Sequence, residues 1–113
     1  MMREITIGQV DDIPEGTSKI VTIERNKEVA VFNQEGEFFA VSNVCPHQGG
    51  PLGEGFISND RISCPLHGWE FDLMTGQSTV SPNITVPVYD IEVRGEDIIL
   101  IVKEGSATED KNI

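Results

Sequence analysis

Apolar and polar residues alternate over several short stretches of this chain, a period that is typical of β-strands. The stretches predicted as strands in the first part of the chain are 4–10, 20–23, 28–32 and 37–41. The last two are predicted to form a hairpin around residues 33–36, because Gly36 can adopt the positive φ that a tight turn requires. The chain therefore begins as a series of short strands joined by turns.

The alternation stops after Val41. Residues 42–60 contain four glycines and two prolines, and this composition predicts an irregular loop. A second loop is predicted at 64–68 and a third at 81–83. The strands predicted in the second part of the chain are 61–63, 69–72, 86–93 and 97–102, of which the last two form a closing hairpin.

No segment has the period of an amphipathic helix, and many short strands separated by turn residues are typical of a small antiparallel sandwich or barrel. We therefore predict an all-β fold. The length of 113 residues fits one domain, which we place at residues 1–103. The polar segment 104–113 is expected to be a frayed tail.

The charge of the chain removes one class of function. There are 19 acidic and 8 basic residues, so the formal net charge is −11. A nucleic acid-binding protein needs a basic face, and we therefore expect no nucleic acid partner. The longest aliphatic run, 98–102, is far too short to span a membrane, and residues 1–4 lack the apolar stretch of a signal peptide. These features predict a cytoplasmic protein without membrane contact.

The acidic residues are concentrated in the middle of the chain. From Glu28 to Glu92 there are nine acidic residues and one basic residue, Arg61. The simpler interpretation is an acidic surface that keeps the protein in solution. The alternative is a surface that docks a partner with a basic patch.

Two cysteines and two histidines form two mixed pairs. Cys45 and His47 have the spacing C-x-H, and Cys64 and His67 have the spacing C-x-x-H. Thiolate and imidazole are ligands for iron and for zinc, and two loops with two ligands each can hold one metal centre. Zinc fingers pair like ligands with like, which these pairs do not. A zinc site and a disulfide between Cys45 and Cys64 remain alternatives at this point.

The sequences around the two pairs resemble the two boxes of Rieske [2Fe–2S] proteins. Residues 45–52 read CPHQGGPL and residues 64–69 read CPLHGW. The strand pattern on both sides also resembles a Rieske-type ferredoxin, so the resemblance extends over roughly residues 3–103. It implies a small antiparallel β-sandwich or barrel, with a cluster-binding subdomain of loops and one [2Fe–2S] cluster per chain.

The resemblance also assigns the ligands. Cys45 and Cys64 would hold one iron as thiolates, and His47 and His67 would hold the other through a ring nitrogen. Two further expectations concern the surroundings of the cluster. Pro82 would lie in a third loop that covers it. Backbone N–H groups would point to the sulfurs from Gln48, Gly49, Gly68 and Trp69.

The resemblance is to the soluble, low-potential branch of the family. Rieske proteins of cytochrome bc-type complexes have a disulfide-bonded extra cysteine in each box, where this chain has Gly50 and Leu66. Their Ser and Tyr, whose hydroxyls hydrogen-bond to cluster sulfurs, correspond here to Trp69 and Phe71. Fewer donors to the sulfurs imply a lower reduction potential.

The function that this resemblance implies is electron transfer without substrate chemistry. We expect a monomeric one-electron carrier, a ferredoxin, between a flavoprotein reductase and a terminal oxygenase such as a dioxygenase, each with a basic docking patch. Because both histidines are used as cluster ligands, none is left for a catalytic two-His-one-carboxylate iron site. The alternatives are a fixed accessory subunit, like the small subunit of nitrite reductase, and a zinc-stabilised binding module.

Overall fold

The computed structural model describes residues 2–23, 26–46, 49–66, 68–81 and 83–103. In this part of the chain there are nine strands: β1 (Met2–Gln9), β2 (Ser18–Ile23), β3 (Lys27–Gln34), β4 (Glu37–Ser42), β5 (Phe56–Ser58), β6 (Arg61–Ser63), β7 (Glu70–Asp72), β8 (Val88–Arg94) and β9 (Asp97–Lys103). They form an antiparallel sheet with the order β1-β9-β8-β4-β3-β2 and a smaller one with the order β5-β6-β7. The predicted all-β fold is confirmed.

Each strand predicted from the alternation is present, with ends shifted by one or two residues. The hairpin of β3 and β4 is tighter than predicted, because β3 continues through Gln34. Its turn consists of Glu35 and Gly36, which both have a positive φ, 53° and 93°. Two positive φ values match the twist of the flanking strands, as in a type I′ turn.

The prediction of one irregular loop over 42–60 is wrong at its C-terminal end. Residues 56–58 form β5, which pairs with β6. Asn59 and Asp60 connect the two strands, and both have a positive φ, 51° and 65°. Residues 56–58 do not alternate and follow Gly53 and Gly55, so the sequence there is typical of a loop. The predicted tail, 104–113, lies outside the described residues, and the domain boundary at residue 103 stays a prediction.

The larger sheet curls into a nearly closed barrel. Its two halves, β1-β9-β8 and β4-β3-β2, meet where Ala40 and Val41 pair with Tyr89 and Val88. On the other side, the edge strands β1 and β2 approach each other. The ammonium group of Lys19 on β2 donates a hydrogen bond to the carbonyl oxygen of a β1 residue, Ile7, at 3.1 Å. A side chain thus bridges the two edges that the backbone leaves unpaired.

An ion pair spans three strands on the outside of the barrel. The guanidinium of Arg94, at the end of β8, donates hydrogen bonds of 2.8 and 2.6 Å to the two carboxylate oxygens of Glu4 on β1. These hydrogen bonds lower the pKa of the Glu4 carboxyl. Both side chains are half exposed, so the pair contributes little to the free energy of folding.

Strand β3 lies between two apolar clusters, and it is therefore buried on both faces. Val29 and Val31 face the cluster inside the barrel, and Ala30 and Phe32 face a second cluster on the other side of the sheet. The second cluster is completed by Val41, Cys45, Leu52, Ile62, Cys64, Phe71, Leu73 and Val86. It lies between the barrel and the smaller sheet, and it contains both cysteines of the sequence.

Candidate metal centre

Cys45 and Cys64 lie at the beginning of two loops that pack against each other. The cysteines are 1% and 2% exposed, and neither forms a disulfide. A Cβ atom placed on Gly50, in the first loop, would lie 3.0 Å from the Sγ atom of Cys64 in the second. The structure therefore brings the two cysteine loops together in apolar surroundings.

In the first loop, two backbone hydrogen bonds close the chain on itself. The N–H group of Cys45 donates to the carbonyl oxygen of Gly50 at 2.8 Å. The N–H group of Gly49 donates back to the carbonyl oxygen of Cys45 at 2.7 Å. Gly49 has a φ of 77°, which residues with a Cβ rarely adopt.

The second loop repeats this arrangement. The N–H group of Cys64 donates to the carbonyl oxygen of Trp69 at 2.7 Å, and the N–H group of Gly68 donates to the carbonyl oxygen of Cys64 at 2.9 Å. The φ of Gly68 is 76°. Each cysteine thus occupies the same position in an equivalent turn, and two equivalent turns that face each other can offer their thiols to one centre.

The role predicted for the loop glycines is wrong. Gly49 and Gly68 were expected to direct their N–H groups to sulfur atoms, but both donate to the carbonyl oxygen of the cysteine in their own loop. The turn geometry accounts for this, because a loop of this length needs that hydrogen bond to reverse the chain. Gln48 lies outside the described residues, and the donor role of the Trp69 N–H group stays a prediction.

The two predicted histidine ligands, His47 and His67, lie outside the described residues. The residues on either side of them are exposed, in contrast to the buried cysteines: Pro46, Gly49, Leu66 and Gly68. Buried thiols suit a soft metal centre, and thiolate ligands are typical of iron–sulfur clusters. The described half of the predicted ligand set therefore fits such a cluster.

Comparison with known proteins identifies the family. The profile of the Rieske [2Fe–2S] domain matches residues 3–90. This chain belongs to the Rieske [2Fe–2S] domain family. Its cofactor is a Rieske-type [2Fe–2S] cluster, and the resemblance drawn from the two boxes is confirmed.

Three relatives illustrate the similarity of this Rieske protein to known ones. It is 34% identical over 90 residues to the ferredoxin component of a naphthalene 1,2-dioxygenase system from Pseudomonas aeruginosa. The aligned region covers 79% of this chain and 86% of that ferredoxin. The ferredoxin in a solved complex of reduced oxygenase and oxidised ferredoxin of carbazole 1,9a-dioxygenase superposes with a TM-score of 0.79. The two are 28% identical, with 86% of this chain and 91% of the other covered.

The third relative comes from another type of enzyme system. A structure assigned as the small subunit of an NADH-dependent nitrite reductase from Mycobacterium tuberculosis superposes with a TM-score of 0.86. The superposition covers 91% of this chain and 97% of that subunit, at 24% identity. At this identity the similarity shows a common fold. The described part of the Rieske protein has no helix long and apolar enough to cross a membrane.

A third loop of the Rieske protein is organised by a buried serine. Ser78 is 3% exposed, and its hydroxyl oxygen accepts hydrogen bonds from the N–H groups of Val80 and Ser81 at 3.1 and 3.2 Å. This segment corresponds to the predicted third loop, although Pro82 itself lies outside the described residues. The serine hydroxyl fixes the backbone at residues 80 and 81, next to isolated bridges of Ser78 with Phe71 and of Gln77 with Thr85.

Besides the apolar cluster, a polar contact that the sequence pattern did not reveal joins the smaller sheet to the barrel. The side-chain oxygen of Gln34, at the end of β3, accepts a hydrogen bond from the N–H group of Asp60 at 2.8 Å, and its amide nitrogen donates to the Asp60 carboxylate. Both residues are polar and stand next to turns, where the sequence predicts solvent contact. The contact fixes the β5–β6 turn, and thereby the hairpin that leads to Cys64.

Gly50 and Leu66 are the positions that the resemblance matches to the extra cysteines of bc-type Rieske proteins. A Cβ atom on Gly50 would lie 2.9 Å from the Cδ1 atom of Leu66, so the two positions are neighbours in this structure. The first loop passes so close to the second that only a residue without a side chain fits here without a shift of its neighbours.

Replacing Gly50 by alanine is expected to shorten the lifetime of the cluster. The added methyl group presses on the Sγ atom of Cys64 and on the Leu66 side chain, and overpacking of this kind costs about 1–3 kcal/mol. The decay of visible absorbance in the presence of an iron chelator measures the effect. The double variant Gly50→Ala/Leu66→Ala loses one of the two close contacts and should regain part of the lifetime. A single variant that decays like the wild type would contradict the prediction.

Proposed function

We propose that this protein carries single electrons from a flavoprotein reductase to a terminal oxygenase. The observation on which the proposal rests is the pair of buried cysteines at equivalent positions of two facing loops, in a chain of the Rieske family. Relatives that are named as ferredoxin components of dioxygenase systems support this assignment. The protein would have no substrate chemistry of its own.

In the proposed centre, Cys45 and Cys64 bind one iron and His47 and His67 bind the other. The bound cluster supplies a site that takes up and releases one electron. The chain contributes two things to this process. The apolar cluster around Cys45 and Cys64 excludes water from the thiolates, and the exposed residues Pro46 and Leu66 leave the loop tips open to a redox partner.

The charge of the chain suggests how partners approach. Glu54 is exposed and follows the first cysteine loop directly, in a single turn of 3₁₀ helix, Leu52–Glu54. A partner with basic residues around its own electron port would be attracted to this end of the molecule. We further propose that the protein is a cytoplasmic monomer, because a carrier that visits two partners in turn needs weak and brief contacts with each.

The second candidate function is that of a fixed accessory subunit of a larger reductase. It is favoured by the TM-score of 0.86 with the nitrite reductase small subunit. A zinc-stabilised binding module would use the same four residues, but the family match favours the [2Fe–2S] cluster. The two redox functions differ in their interfaces, since a fixed subunit needs a permanent and more apolar contact.

The His47→Ala and His67→Ala variants are expected to lose the cluster or to bind it weakly. The wild-type protein should be red-brown, with one [2Fe–2S] cluster per chain. Its EPR signal after reduction should have a lower average g value than that of an all-thiolate cluster. Because binding of a metal centre contributes to the free energy of folding, the colourless variants should also unfold at lower urea concentration. A colourless wild-type protein with stoichiometric zinc would contradict the proposal.

The Phe71→Tyr variant tests the expected low potential. Phe71 is fully buried in the apolar cluster that contains both cysteines. A hydroxyl group added there is shielded from water, and we expect it to donate a hydrogen bond to a sulfur of the cluster site. We expect the wild-type midpoint near the low end of the range of about −150 to +300 mV known for Rieske centres, and a higher value for Phe71→Tyr.

Phe38 is a matched control, because it packs against the cluster inside the barrel and its change to tyrosine should leave the potential unaltered. A wild-type midpoint well above about 0 mV would contradict the expectation of a low potential.

The rate of electron transfer to the oxygenase is expected to fall as ionic strength rises. Exposed charges are screened over a Debye length of about 8 Å at physiological salt. Glu54→Lys should slow the transfer further at low salt, as measured by stopped-flow absorbance.

Glu96→Lys is the control, because Glu96 lies in the turn after β8, at the end of that strand that points away from the cysteine loops. A rate that depends neither on salt nor on Glu54 would favour the fixed subunit.

A further inference from the structure

The two cysteine loops have equivalent turns but different supports. The second loop connects two paired strands, in which Ser63 pairs with Glu70 and Ile62 pairs with Phe71. The first loop stands on an isolated bridge between Val44 and Pro51. The position of Cys45 therefore depends on what holds the chain just below this bridge.

Asn43 is the residue below the bridge, and it is 3% exposed. Its backbone N–H group donates to the carbonyl oxygen of Glu28 at 2.9 Å, and its side-chain nitrogen donates to the Glu28 carboxylate at 2.9 Å. Its carbonyl oxygen accepts from the N–H group of Leu52 at 2.8 Å, and its side-chain oxygen accepts from the N–H group of Gly53 at 2.6 Å. Asn43 thus connects strand β3 to the chain on both sides of the first loop.

The segment held by Asn43 has little freedom to move elsewhere. Leu52 is fully buried in the cluster that contains the cysteines. A Cβ atom on Gly53 would lie 2.5 Å from a side-chain carbon of Ile20 on β2, and the Ser18 hydroxyl donates to the Gly53 carbonyl oxygen. The Gly53 N–H group is therefore enclosed, and without the Asn43 side chain it would be buried without an acceptor.

We propose that Asn43 is a positioning residue for the cluster, because it fixes the loop that carries Cys45. The inference rests on the proposed ligation of the cluster by Cys45. In the first loop, the side-chain hydrogen bonds of Asn43 supplement a backbone pairing that is shorter than the ladder behind the second loop. Loss of these bonds should loosen one half of the cluster site and leave the barrel intact.

Asn33 provides a matched control within the same protein. It is also buried, at 4% exposure, and its side chain also accepts from a glycine N–H group, that of Gly36, at 2.9 Å. Its side-chain nitrogen donates to the carbonyl oxygen of Ile13 at 2.7 Å. Asn33 lies near the other end of β3, away from the cysteine loops. Replacement of either asparagine by alanine leaves a glycine N–H group without its side-chain acceptor.

The experiment compares cluster loss with global stability in the holo-proteins. Asn43→Ala and Asn33→Ala should lower the urea midpoint by similar amounts. Only Asn43→Ala should accelerate the loss of visible absorbance to a chelator in the absence of urea, by about tenfold, which corresponds to about 1.4 kcal/mol. Its EPR signal should also broaden, because the cluster ligands occupy a wider range of positions.

Two further variants make the result decisive. Asn43→Asp keeps the acceptor for the Gly53 N–H group but places a carboxylate beside that of Glu28. In the double variant Asn43→Asp/Glu28→Gln, the new glutamine amide can donate a hydrogen bond to the new aspartate, so the bond between positions 28 and 43 is restored in the opposite direction. The double variant should lose its cluster more slowly than Asn43→Asp alone. The double variant also keeps the inference testable should Asn43→Ala not fold, because it retains the acceptor for Gly53 and a hydrogen bond to residue 28.

Equal rates of cluster loss in the Asn43 and Asn33 variants would overturn the inference, whether both are fast or both are slow. Cys45→Ala separates this outcome from the proposed function. If Cys45→Ala loses the cluster and Asn43→Ala keeps it, the proposed ligand stands and the positioning role fails. If the wild type binds no cluster, the proposed function itself fails.

Discussion

Burial of strand β3 on both faces is the constraint on which the rest of the structure depends. On one face, Val29 and Val31 pack in the apolar cluster inside the barrel. On the other face, Ala30 and Phe32 pack in the cluster that contains the two cysteines. Loops rich in glycine and proline bury little apolar surface of their own, so they need a preformed apolar surface to pack on. The barrel supplies it, and it can do so because a strand alternates its side chains between two sides. The barrel thereby determines where the thiols of the two cysteine loops lie.

The two loops show that the same turn can be supported in different ways. Behind Cys64 the chain is paired as a ladder, whose backbone bonds do not depend on the identity of the side chains. Behind Cys45 the backbone pairing is limited to an isolated bridge and the bonds of Asn43, and the Asn43 side chain adds the acceptor for the Gly53 N–H group. This side-chain support can be lost by a single substitution, whereas a ladder is lost only when the pairing of the strands changes. The two halves of the centre should therefore differ in how sensitive they are to mutation of nearby residues that are not ligands.

The sequence predicted those features that recur over several residues or have a characteristic spacing. Alternation revealed the longer strands, and the mixed spacing of cysteine and histidine revealed the family. It missed β5, because residues 56–58 do not alternate and lie in a glycine-rich segment. It also assigned the N–H groups of Gly49 and Gly68 to sulfurs, although the turns use them for their own closure. Asn43 and the contact of Gln34 with Asp60 could not be predicted, because a single polar residue beside a turn looks the same whether it faces solvent or another segment. The ligand roles of His47 and His67 stay predictions, since both lie outside the described residues.

The surface around the loop tips combines two properties that act over different distances. Leu66 is 59% exposed at the tip of the second loop and Pro46 is exposed in the first, so the described part of the two tips offers apolar side chains for direct contact. Contact of this kind acts only at van der Waals distance and stabilises a complex in proportion to the area buried. The acidic residues act at longer range and would raise the rate of encounter with a partner that carries a basic patch, but their contribution to a formed complex is reduced by salt. Apolar side chains at the described loop tips of a strongly acidic protein would thus favour fast encounters with short lifetimes, given a partner with a basic patch. These are the kinetics that a mobile electron carrier requires, and a permanently bound subunit would gain nothing from them.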